Sequence, residues 1–62
     1  MILDEVLTYY KNAYQFQKQT KMSINNIRNW RIMGHIPIVS QMKIEKLTKG
    51  DLKANMEHVK ND

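Results

Sequence analysis

Residues 22–37 read MSINNIRNWRIMGHIP, and their punctuation decides much of what the chain can become. Ser23 is a good helix N-cap, its hydroxyl placed to accept from the amide of Asn25 or Asn26. Gly34 is a natural left-handed terminator. Pro37 suits the first position of a following helix, where its missing N–H costs nothing. The spacing predicts a helix from about Ile24 to Met33, with Ile27 and Trp30 on one face and Ile24 partly joining them. Three of the seven residues after Ser23 are Asn (Asn25, Asn26, Asn29). Asn is a weak helix former because its amide competes for backbone groups, and a drifting surface would more often carry Glu, Lys or Ala. Asn25, Arg28 and Asn29, at i, i+3 and i+4, converge on the face opposite the apolar one.

The rest of the chain reads as further short helices. Leu3, Val6, Leu7 and Tyr10 make one face of a first helix, with Asp4 and Glu5 in its first turn, where acids suit the dipole. Asn12 can cap a second helix, about Ala13 to Gln19, that buries Ala13, Phe16 and Thr20. Thr20-Lys21-Met22 forms a turn pinned by Met22. After Pro37, a fourth helix carries Ile38, Met42, Ile44 and Leu47, leaves Glu45 and Lys46 exposed, and ends at Gly50. Asp51 is expected to cap a last short turn with Leu52 and Met56 at i, i+4, and the tail over 57–62 to fray. Nothing alternates with period two for long enough to make a strand. The expectation is one all-α domain of four to five short helices spanning residues 1–62.

Composition narrows the function. A chain of 62 residues buries only about 60% of its unfolded surface. No Cys can staple it, and two His with scattered acids make a metal site unexpected. Self-association is the remaining staple, and Met42, Ile44, Leu52 and Met56 are the expected apolar patch for a second copy. The acids lie at the periphery and the two His are far apart, so no nucleophile–base pair or acid pair is set up for catalysis. No cofactor or small-molecule substrate is expected. The N-terminus MILDEVL lacks the charge pattern of a signal peptide, and no apolar run approaches the ~20 residues of a membrane span. The expected location is the cytoplasm, which the lack of Cys fits.

Charge placement is more informative than the net value of +4. Between Glu5 and Glu45 there is no acid, while Lys11, Lys18, Lys21, Arg28, Arg31 and Lys43 fall in that interval. Such a surface attracts a polyanion. Two short helices joined by a tight turn over about 13–33, the second polar on one side, describe a helix-turn-helix. Asn pairs bidentately with adenine and Arg with guanine. Lys21 and Ser23, at the N-terminus of the third helix, suit a phosphate, and Arg31 on its flank can reach another. Trp30 falls with Ile27 as a core anchor rather than a stacking platform. His35 is expected to be exposed, and Asn26 has no assigned role.

The chain resembles the small Cro-type repressors of temperate phages. The likeness runs from about Val6 to Leu52, through LTYYKNAYQFQKQTKMS, the Ser-initiated helix ending WRIMGHIP, and IEKLTKGDL. The last segment is the most specific; excisionases and MerR-type regulators share features of WRIMGHIP. The resemblance implies that Gln15, Lys18 and Ser23 touch the DNA backbone and that Ile24, Asn25, Arg28 and Asn29 face the major groove. It also implies a double-stranded operator bound by a homodimer, in the cytoplasm of a bacterial host cell. Lys21 stands where the family usually has the turn glycine, Gln17 where it has a buried Ala, and Thr20 where it prefers Leu. A non-glycine residue at that turn costs about 1 kcal/mol, and Gln17 predicts a looser contact between the two helices. Two other readings stay open at this point: an excisionase-like DNA-bending factor, and a basic protein-interaction module such as an anti-repressor or nuclease inhibitor.

Overall fold

A computed structural model describes residues 1–59. Four α-helices follow one another: α1 (Leu3–Tyr10), α2 (Ala13–Thr20), α3 (Asn25–Met33) and α4 (Ile38–Leu47). A 3₁₀ turn, Met56–His58, comes last, and the described residues contain no strand. The protein is all-α, and among the described residues no helix is long and apolar enough to cross a membrane. Residues 60–62 of the expected frayed tail lie outside the described residues. Glu57 and His58 belong to the 3₁₀ turn instead.

Local chemistry sets the first three helix starts. Glu5 reaches back and accepts from the Ile2 amide at 2.9 Å, the half of a capping box that needs no hydroxyl. Asn12 Oδ1 accepts from the Gln15 amide at 2.8 Å and starts α2. Ser23 Oγ accepts from the Asn25 amide at 3.2 Å and starts α3. Gly34 ends α3 in the left-handed conformation (φ 81°), its N–H donating to the Trp30 carbonyl at 2.8 Å. Pro37 sits one residue ahead of the expected place, as the cap of α4 rather than its first member.

The core takes one or two residues from each element: Val6 and Tyr10 from α1, Phe16 from α2, Ile27 and Trp30 from α3, and Ile44 from α4. Edge-to-face contacts run from Tyr10 to Phe16 (5.5 Å between centroids) and on to Trp30 (5.8 Å), joining α1, α2 and α3. Trp30 is therefore a core anchor, as its spacing predicts. Ile36, in the α3–α4 connection, and Leu52 close the core.

The inner edge of α4 departs from the expected apolar pattern. Met42 (60% exposed) and Leu47 (52%) face outward, while Gln41 is fully buried. Gln41 Nε2 donates to the Ile36 carbonyl at 2.8 Å, and its Oε1 accepts from the Met1 amino group at 2.6 Å and the Asn55 amide at 2.9 Å. Glu45, expected to be exposed, is half-buried and accepts from the Ala54 amide at 2.7 Å. Thr48 Oγ1 accepts from the Leu52 amide at 3.1 Å. At i, i+4 and i+7, these three polar residues grip the backbone of residues 52–55 from one side of α4. Amides held by side chains cannot enter a helix ladder, so the turn expected to start at Asp51 forms only at Met56, capped by Asn55. Asp51 instead accepts from the Tyr9 hydroxyl at 3.0 Å.

Candidate nucleic-acid interface

The turn between α2 and α3 is built by side chains that fold back on the backbone. Thr20 is buried, its hydroxyl donating to the Phe16 carbonyl at 2.7 Å and accepting from the Met22 amide at 3.1 Å. Lys21 adopts the left-handed conformation (φ 64°, ψ 9°), and its N–H donates to the Gln17 carbonyl at 2.9 Å. The positive-φ turn thus forms with a lysine in it. Gln17 departs from the looser contact expected of it. Its Oε1 accepts from the Ile24 amide at 2.6 Å, binding the end of α2 to the start of α3. That amide is one of the donors a helix N-terminus leaves without an intrahelical partner.

On α3 the two faces separate cleanly. Ile27 and Trp30 are buried at 5% and 3% exposure. Asn25, Arg28 and Asn29 are all exposed on the other side. Ile24 is 41% exposed at the very start of the helix, outside the core its spacing partly suggested. Asn26 is half-buried on the flank.

Of the residues expected at a phosphate backbone, Lys18, Lys21 and Ser23 come together. They line an open hollow of about 520 Å³ with Tyr14 and Gln17. Neither Tyr14 nor Gln17 stood among the expected contact residues. The exposed phenol of Tyr14 (62%) is a donor beside two cations. Its signal in the sequence was an aromatic at an outward α2 position, which the core does not need. Gln15 lies outside that hollow, half-buried in the first turn of α2. Arg31 lies elsewhere too, in a cleft of about 220 Å³ whose other walls include Asp4, His35 and His58. His35 corrects the expectation of an exposed side chain: it is half-buried, and its Nδ1 is buried without a hydrogen-bond partner among the described residues.

The expected self-association patch divides. Met42 and Met56 are 60% exposed, but Ile44 and Leu52 belong to the core (0% and 8%) and cannot present a surface to a second copy. Comparison of the chain with protein-family models, curated proteins and solved structures finds no match in any of the three.

Proposed function

We propose that this chain is a sequence-specific double-stranded DNA-binding protein, a helix-turn-helix repressor of the Cro-like phage or prophage type. In this reading α3 enters the major groove. The observation that carries it is the single exposed stripe of Asn25, Arg28 and Asn29 on a helix whose opposite side is anchored by Ile27 and Trp30. These side chains carry the donor and acceptor patterns that pair with adenine and guanine edges, and a helix fixed in the core presents them in a set register. Beside the stripe, Lys18, Lys21 and Ser23 border the hollow at the N-terminus of α3, where cations, a hydroxyl and backbone amides together suit a phosphate.

One module of this size covers only about 600–1,000 Å² of its own surface on DNA. Two copies on a pseudo-palindrome follow from that, with half-sites about 34 Å apart on one side of the duplex. Selection of bound duplexes from a random pool, at two salt concentrations, tests the reading. The expected result is a two-fold symmetric motif and an affinity that falls with log salt at a slope of about −0.9 per phosphate engaged. Recovery of no sequence preference at moderate salt would overturn it.

A further inference from the structure

The exposed stripe of α3 does not end at Asn29. Ile32 stands three residues after Asn29, four after Arg28 and seven after Asn25. All four lie within the uninterrupted helix Asn25–Met33, so helical geometry sets them in one row. Ile32 is 75% exposed, the most exposed of the large apolar side chains among the described residues. A lone exposed isoleucine needs no explanation in itself, but this one continues a polar row. The core does not ask for it, because Ile27 and Trp30 already fill the inner face of the helix.

A helix lying in the major groove can read bases with residues at i, i+3, i+4 and i+7. The edges of the groove offer donors and acceptors, and one apolar group, the C5-methyl of thymine. An isoleucine in a helix is held to one dominant χ1 rotamer. Its tip is therefore presented with little ordering still to lose on contact.

We propose that Ile32 is a specificity-determining residue that meets the C5-methyl of a thymine in each half-site. The proposal rests on the DNA-binding reading of α3 given above. With a rise of about 1.5 Å per residue, Ile32 lies about 10.5 Å along the helix from Asn25. At about 3.4 Å per base step this is roughly three base pairs. The thymine stands that far from the base met by Asn25, beyond those met by Arg28 and Asn29.

The test uses the duplex that the wild-type chain selects, with each thymine replaced in turn by uracil. Uracil keeps the pairing edge and removes only the methyl. For the wild type, one position per half-site should lose about four-fold in affinity, the factor that one buried methyl supplies. That position should lie about three base pairs from the one whose preference disappears in Asn25→Ala. Ile32→Ala should bind the thymine and uracil versions equally there while keeping its other preferences. Ile32→Val should retain most of the discrimination. Because the side chain is exposed, both variants should show the helical circular dichroism of the wild type.

The proposal is overturned if Ile32→Ala keeps the full thymine–uracil ratio, or if the wild type shows none at any position. It is equally overturned if Ile32→Ala weakens both duplexes by the same factor, which would place Ile32 in a contact between copies. Failure of the wild-type chain to select any sequence removes the DNA-binding reading itself. That outcome is distinct from a selected motif that ignores methyls.

Discussion

Lys21 holds a left-handed backbone conformation that glycine adopts without strain. Replacing it with glycine should relieve about 1–2 kcal/mol of strain, less about 0.4–1 kcal/mol for the freer unfolded chain. Lys21→Gly should therefore be more stable by about 0.5–1 kcal/mol in urea unfolding. The same variant should reduce the salt slope of DNA binding by about one unit, because one phosphate partner is lost. A stabilised variant with an unchanged salt slope would leave the lysine without a role on DNA. A second residue-scale prediction concerns Tyr9, whose phenol is raised above its ordinary value of 10.0. The causes are its hydrogen bond to Asp51, then burial, then the Asp51 charge. With the folded value above the unfolded one, the contribution of this contact is complete below pH 10. It is lost as pH rises through the raised value. Asp51→Asn should move the Tyr9 phenolate absorbance transition back toward pH 10. At this scale the capping residues were legible in the sequence, because Asn12, Ser23 and Gly34 act on backbone groups within a few positions. Asp51 has the chemistry of a cap, yet its partner, Tyr9, lies 42 residues away.

The junction of α2 and α3 depends on Gln17 as much as on the Ser23 cap. Gln17→Ala removes the acceptor of the Ile24 amide and should destabilise the domain by about 0.5–2 kcal/mol, the range of a lost N-cap. Thermal unfolding monitored at 222 nm measures it, and a neutral result would deny Gln17 its part in fixing α3. The first three helices were legible to within a residue or so, since each carries an apolar face at helical spacing and a capping signal at its edge. The fourth was legible in extent but not in facing. Gln41 turns inward because it satisfies three backbone groups at once, which no periodicity of apolar residues can reveal. Apolarity alone places Leu47 with Ile44 on the inner face of α4, and the structure turns it out. The segment 51–55 escapes a periodicity reading for the same reason: the amides of Leu52, Ala54 and Asn55 belong to the side chains of Thr48, Glu45 and Gln41 rather than to a helix of their own.

Across the molecule, Gln41 ties the Met1 amino group, the α3–α4 connection and the segment after Leu52 to one buried amide. Gln41→Leu would leave an amide, a carbonyl and an amino group without that partner, at about 1–3 kcal/mol for each group left unsatisfied. A 62-residue domain has roughly 3–9 kcal/mol in all. Loss of the cooperative urea transition is therefore the expected outcome, and a loss below about 1 kcal/mol would contradict the account of α4. The exposed face of the candidate site was legible because Asn25, Arg28 and Asn29 answer to helix spacing alone. Lys18, Lys21 and Ser23 of the hollow beside it are expected from the sequence, whereas Tyr14 and Gln17 are not, because they join the others only once α2 and α3 are folded together. The central claim is that this face of α3 reads base sequence, and one comparison tests it most directly. Duplexes are selected from a random pool by the wild-type chain, by Asn25→Ala, Arg28→Ala and Asn29→Ala singly, and by the triple variant. Each single variant should relax one base position by about 1–3 kcal/mol, and the triple variant should lose the preferences at all three of those positions. A triple variant that folds and selects the same motif as the wild type would contradict the claim.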